Sequence, residues 1–476
     1  MNLFRFFQSK GIDTVDASFY RQIDAWKSWY KSNVKNFTTY RVYTGSGTYV
    51  KRRRKSLGMA KKLSEDIADL LLNERVQISL SGQTEQSFVD TVLSENNFQV
   101  LGNEYQERKA YSGTVAYVPY LRDASTTEDG TILSGRIGIN YLSAENIFPV
   151  SWENGIVTEC IFAFPKVSMR KKYLHLQYHH KLDSGLYIIE NTVLECVRGA
   201  DTGKELTPEE WKLIKPFRDL APIVETDSEY PQFVIDRLNI VNNADDDESN
   251  PMGVAIFVNA IDVLKKIDVE YDSYCNEYEL GRKRIFVAPE LLVNKDGSPA
   301  FDPEDSVFYK MPDDYNEKSA EGLIKEIDLQ IRADEHSKGI NDDLNLLSLK
   351  CGFGTQRYRF ENGQIKTATE VISVNSDMFR MIKKHEIVLD SAIKNLIRII
   401  LRLGNVIGNN LDENAEIAID FDDSIIEDKE TERRNDRSDV AMGAMPLWEY
   451  RMKWYGEDEA TAKSKVSIDD GIEEET

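Results

Sequence analysis

The sequence predicts an α+β fold in which long helices dominate the second half of the chain. Three observations point there. From Pro251 to Gly404, apolar residues recur at helical spacing over unusually long runs. From Val76 to about Val197 the pattern turns to short strand-like runs (VQISL, TVAYVPY, GRIGINYL, CIFAF, LYIIE) parted by Gly, Asn and Asp turns. Charge is segregated as well: the 476 residues carry a formal net charge of −22. Residues 1–62 hold fourteen Lys or Arg and three Asp or Glu, net +11, which leaves −33 for the remainder.

The basic arm opens with a helix predicted from Asp16 to about Val34, with Phe19, Ile23, Trp26 and Tyr30 on one face. A second amphipathic helix follows through Leu57, Leu63, Ile67, Leu70 and Leu71. Between them lies Lys51-Arg52-Arg53-Arg54-Lys55, which reads as a solvated loop, an inter-subunit patch or a phosphate contact. Asp245-Asp246-Asp247-Glu248 reads as an exposed acidic hinge before the helical half.

Pro251 suits the first turn of a helix that Gly281 ends in a left-handed conformation. Val254, Phe257, Ile261, Leu264, Ile267, Tyr271, Tyr274 and Tyr278 form its stripe. Its length would be roughly 42 Å. A second helix is predicted from near Ser319, with Ile324, Ile327 and Ile331 on one face. After Gly339 the stripe resumes as Ile340, Leu344 and Leu347, nearly half a turn around. This predicts a kink between Asp334 and Ile340, with Gly339 as hinge. The third helix opens at a Thr367–Glu370 capping box and continues through Val371, Met378, Ile382, Leu389, Ile393, Leu396 and Ile400 to Gly404. It would span about 55 Å. Beyond it, Glu416–Phe421 alternates like a strand, and residues 427–465 read as short helices around Pro446 and Gly456.

The search for an active site yields little. Gly203-Lys204 lacks the Ser/Thr and upstream glycine of a phosphate-binding loop, and His385-Glu386 lacks the second histidine of a zincin helix. His175 and His179 share a strand face with Gln177, but no carboxylate or thiol completes a metal set, so an exposed strand face is expected. Asp420, Asp422 and Asp423 read as a polar strand end rather than a Mg²⁺ site. Cys160, Cys196, Cys275 and Cys351 are too scattered for a zinc or disulfide framework, and reduced thiols are expected. No apolar run approaches a membrane span, and MNLFRFFQSKG is too short in its apolar part for a secretory signal. No catalytic residue, cofactor or metal is expected.

The ordered set of features resembles the portal proteins of tailed bacteriophages, most closely those of phages with long, non-contractile tails. The segments that carry the resemblance are SLGMAKKLSEDIADLLLNE (56–74), ENIFPVSW (145–152), GRKRIFV (281–287), KTATEVISVNS (366–376) and FDDSIIEDKETERRNDRSDVAMGAMPLWEYRMKWYG (421–456). The resemblance implies a mixed α/β wing (1–250), stem helices (251–281 and 318–345) and a small clip (282–317). It further implies a tunnel loop (346–366), a long wing helix with its following segment (367–419) and a helical crown (420–476). It also implies a homo-oligomeric ring, of twelve copies in this family, at one capsid vertex. Double-stranded DNA would pass through it in packaging and ejection. The major capsid protein, the terminase large subunit and a head-tail adaptor would be its partners, with assembly in the bacterial cytoplasm and no membrane. Two other readings compete: a minor head enzyme acting on DNA, and a capsid scaffold protein.

Elementary geometry agrees with a conduit. Twelve helices about 10 Å apart close a ring whose bore, less the side chains, is roughly 28 Å. Net acidity also fits, because a predominantly basic bore would grip DNA rather than let it slide. The residues expected to meet DNA lie in Cys351–Gly363, where Arg357 and Arg359 alternate with Tyr358 and Phe360. The segment reads either as a channel loop, with Lys366 at the helix entrance, or as a hairpin with its aromatics in the core and its arginines paired. The resemblance favours the channel loop.

Overall fold

The computed structural model describes residues 3–43, 47–126, 132–197, 203–281, 284–287, 298, 308–310, 324–327, 330–355, 357–360, 368–421 and 429–469. The chain separates into two compact units: Met1–Leu72 with Ser79–Ala418, and Asn73–Ile78 with Ile419–Thr476.

The first unit begins with α1 (Leu3–Ser9) and α2 (Ala17–Tyr30). Asp16 caps α2 by accepting the Ser18 amide at 2.7 Å, and the helix buries Phe19, Tyr20, Ile23, Trp26 and Trp29. The predicted loop holding the basic pentad is partly a strand: β1 (Thr39–Tyr43) pairs with β2 (Tyr49–Arg53) as an antiparallel hairpin. Then come α3 (Met59–Leu71), β3 (Gln77–Leu80), α4 (Gln83–Glu95) and α5 (Phe98–Ser112). Sequence reasoning gave no separate place to α4 and α5. α5 has no clean apolar face and buries Gln106, Lys109 and Ser112 among its inward residues.

Eight further strands follow: β4 (Thr114–Thr126), β5 (Ile132–Ser143), β6 (Ile147–Glu153), β7 (Ile156–Ser168), β8 (Lys171–Lys181), β9 (Tyr187–Glu195), β10 (Lys204–Leu206), and, after α6 (Pro208–Lys212), β11 (Ile223–Glu225). With β12 (Val234–Arg237) they form two sheets, β12-β4-β5 and β10-β9-β8-β7-β6, with β11 on β9. The strands predicted between Val76 and Val197 all fall within this set or at β3. Inside, Lys109 of α5 and Asp236 of β12 make a fully buried ion pair at 2.9 Å, joined by Gln106. Breaking either partner would strand a buried charge.

The first long helix is shorter than predicted. Residues 251–257 are not helical, and α7 runs only Ile261–Leu280, about 30 Å. Apolar spacing misled here because Val254, Ala255, Ile256 and Phe257 are all buried, so no single face is distinguished. The backbone of this stretch instead serves β4 and α5. Gly253 donates to Thr114 Oγ1 at 2.8 Å, and Ile256 donates to the Ala110 carbonyl at 2.9 Å. Gly281 ends α7 at φ −75°, not in the left-handed region expected of it.

The second prediction also needs correcting. Ile324–Ile327 is strand β15, antiparallel to β13 (Arg284–Val287), which is parallel to β14 (Phe308–Lys310). Helix α8 starts only at Ala333 and runs unbroken through Gly339 to Lys350. The expected kink at Gly339 is absent because the two halves of the apolar stripe belong to different elements, a strand and a helix. Gly339 has another use: a Cβ there would sit 3.1 Å from Glu270 Oε2 on α7, so it admits close helix contact. α7 and α8 form an antiparallel pair registered at both ends. Lys350 meets Asp262 at 3.0 Å, Lys266 meets Asp343 at 2.7 Å, and Arg332 pairs with Glu277.

α9 (Ala368–Val406) is the longest element, about 58 Å, and packs its apolar face on β12 and β4. It passes Gly404 rather than stopping there. A Cβ on Gly404 would lie 2.6 Å from Leu411 and 2.8 Å from Phe88, so close packing explains that glycine. Thr367 lies outside the described residues, and so does its capping box. The second unit holds the second half of β16 (Ile417–Asp420) and three helices, α10 (Lys429–Ala441), α11 (Leu447–Tyr455) and α12 (Glu459–Asp469). In it, Tyr450 OH accepts from Arg433 Nε at 3.1 Å and Arg437 Nε at 2.9 Å, tying α11 to α10.

Candidate nucleic-acid interface

After Cys351 caps α8, Gly352 and Gly354 take φ of +84° and +72° and turn the chain. Phe353 is fully buried and packs against Tyr358 at 5.8 Å between ring centroids. The Tyr358 hydroxyl donates to Asp66 Oδ2 on α3 at 2.7 Å. Burial, followed by the Asp66 charge, raises the Tyr358 pKa and keeps the donor protonated. Phe360 donates its amide to Asn341 Oδ1 at 2.8 Å, and its ring meets Tyr274 edge-on at 5.3 Å. Arg357 and Arg359 point the other way and are exposed. The alternation in the sequence is thus an alternation of faces: aromatics hold the segment down and two guanidinium groups stand out. No strand pairing is present among its described residues, and Lys366 lies outside them.

The basic pentad divides in two. Lys51, Arg52 and Arg53 are exposed on β2, with Arg41 facing Lys51 across the hairpin. Arg54 and Lys55 turn back to α7, where a buried carboxylate receives them. Asp272 accepts from Tyr40 OH at 2.9 Å and from the Lys55 amide at 3.0 Å, with Arg54 Nη1 at 4.0 Å. Arg54 also lies over the rings of Phe37 and Tyr40. One turn back, Asp268 accepts the Leu57 amide at 3.0 Å. These i, i+4 aspartates anchor the arm. Their signal in the sequence was two acids on the predicted buried face of a helix.

With this geometry in view, a family model described as "Phage portal protein, SPP1 Gp6-like" matches residues 10–455 of the 476. The chain belongs to the phage portal protein family. No curated protein matches it at a significant level. A portal chain acts in DNA packaging as part of an oligomeric ring at the capsid vertex of the virion, with capsid and terminase as partners. The family is structural rather than enzymatic.

Three histidines of this portal chain prove to be core. His175 and His179 on β8 are buried, not on the exposed face expected. His175 Nε2 meets Asn191 Oδ1 at 2.7 Å, and His179 packs edge-on against Phe162 and Phe233. Burial lowers their pKa values to about 4 and about 3. His385 on α9 is likewise buried and lowered to about 3, with Nδ1 accepting the Asn239 amide at 3.1 Å. The acidic run 245–248 is a folded turn: Asp247 Oδ1 accepts the Ser249 amide at 2.9 Å, and Asn250 Oδ1 accepts that of Met252 at 2.9 Å. Asp422 and Asp423 lie outside the described residues. Among those described, no group of three His, Cys, Asp or Glu is placed to hold a metal ion. No described helix is long and apolar enough to cross a membrane.

Proposed function

We propose that twelve copies close into a ring of the long, non-contractile-tail type, assembled in the bacterial cytoplasm, whose axial channel carries double-stranded DNA in both directions. The α7–α8 pair, held in register by ion pairs at both ends, carries this reading, because paired antiparallel helices are stiff units from which a wall can be built. In this reading α7 and α8 take the stem role expected of 251–281 and 318–345. The β13–β15 sheet takes the clip role and extends it past residues 282–317, offering the face for the terminase large subunit and the head-tail adaptor. Residues 1–250 with α9 are the wing, which meets the major capsid protein, and 420–476 form the crown.

Arg357 and Arg359, with Lys366 beyond them, touch the phosphate backbone transiently. Two exposed cations on a segment fixed by buried aromatics guide a polyanion without the broad basic surface that would hold it. Lys51, Arg52 and Arg53 contact DNA or a neighbouring subunit. The chain supplies no packaging energy, since it has no phosphate-binding loop.

Replacing Arg357 and Arg359 together by Ala tests this reading. Rings should form normally while packaging efficiency falls or packaged DNA leaks. Wild-type packaging and retention by the double variant would remove the segment from the DNA path.

A further inference from the structure

A cleft of about 570 Å³ lies in the first unit, between β12, the turn that joins β6 to β7, and the middle of α9. Its walls are Phe233, Val234, Ala392 and Ile399, all largely buried. At its rim three large apolar side chains are left in water: Ile156 is 70% exposed, Ile387 69% and Tyr230 57%. Ile387 stands out because the neighbouring apolar residues of α9, Ile382, Leu389 and Ile393, are buried. Isolated exposed apolar residues need no explanation, but three around one cleft mark an interaction surface.

The charge of this cleft is opposite to that of the protein. Arg237, Arg398 and Arg402 line it, and none of its lining residues is Asp or Glu, in a chain of net charge −22. Arg402 lies 4.0 Å above the Tyr230 ring and reaches Glu413 at 3.4 Å, while Arg237 and Arg398 have no ion pair among the described residues. Arginine and tyrosine around an apolar pocket are the composition of an interface hot spot. Copies in a cyclic ring meet through two different, complementary patches, so each must offer one surface to receive and another to be received.

We propose that this cleft receives the neighbouring copy of the same chain, which fills it with an acidic surface carrying apolar side chains. The assignment rests on the ring reading and goes further by naming the receiving face. A basic, carboxylate-free cleft in an acidic protein is matched by the rest of that protein. Placing the cleft on α9 would also link subunit contact to the helix that packs on β12 and β4.

Ile387→Asp and Arg398→Glu, singly and together, test it, with Arg398→Lys as the conservative control. Both residues are exposed, so circular dichroism and the thermal midpoint should match wild type. Native mass spectrometry should show wild-type and Arg398→Lys rings. Each charge variant should raise the concentration for half-assembly about tenfold or more. Hydrogen exchange should also show residues 154–157 and 387–402 better protected in rings than in the double variant. Folded variants that assemble as wild type does overturn the proposal, as do variants that assemble but lose binding to a duplex DNA probe, which would assign the cleft to nucleic acid. A wild-type chain that stays monomeric at every concentration overturns the ring reading and this assignment with it.

Discussion

Tyr358 donates a 2.7 Å hydrogen bond to Asp66 across 292 residues of sequence, fastening the arginine-bearing segment to α3. Asp66 also receives Lys62 Nζ at 2.7 Å, so the carboxylate keeps one partner when the phenol is removed. Tyr358→Phe should therefore cost about 1.5–3 kcal/mol, the usual worth of a hydrogen bond to a charged group. Calorimetry checks this through a lowered melting temperature. Hydrogen exchange should show the loss concentrated at residues 351–360 and in α3. An unchanged melting temperature would mean that the ring packing alone holds the segment.

Two glycines that look alike in sequence should behave differently. A Cβ on Gly253 would lie 2.2 Å from the Gly113 carbonyl oxygen, a clash with backbone that cannot move aside cheaply. A Cβ on Gly339 would lie 3.1 Å from Glu270 Oε2, the end of a flexible side chain. Gly253→Ala should destabilise by several kcal/mol or prevent folding. Gly339→Ala should be near neutral, since the gain in helix propensity is of order 1 kcal/mol. Thermal melts of the two variants side by side decide the matter.

Glu270 should make stability depend on pH in the direction opposite to the histidines. Glu270 Oε2 and Asp343 Oδ2 are buried without a hydrogen-bond partner between α7 and α8, with Lys266 bridging the other oxygens. Burial, then the Asp343 charge, raises the Glu270 pKa above its usual 4.5. A raised folded value gives stability that is full below the unfolded pKa and lost as pH rises through the folded one. Glu270→Gln, which donates without ionising, should melt higher than wild type at pH 8, with the advantage shrinking toward pH 4.5. For His175, His179 and His385, lowered to about 4, 3 and 3, stability is full above about 6.5 and lost as pH falls toward those values. Their ring protons should not titrate between pH 8 and pH 6.

The sequence was most legible where one element meets one environment. α2, α3 and the lower part of α9 each bury a single face, and their periodicity placed them well. It misled where a segment is buried all round, as at Val254–Phe257, and where two elements follow each other closely enough to read as one helix with a shifted stripe, as Ile324–Ile331 and Ile340–Leu347 do across a strand-to-helix change. Arg357 and Arg359 were legible as alternating cations. The partners that fix their segment, Asp66 and Asn341, were not, because they lie on helices distant in sequence. The cleft between β12 and α9 was also invisible, since Arg237, Arg398 and Arg402 converge only through the fold.

The most direct test is to image the purified chain and to measure its native mass. The account predicts closed rings, twelve copies each, with an axial channel of about 28 Å between helix pairs. Monomers, shells or sheets, or rings with no axial opening wide enough for duplex DNA, would contradict it.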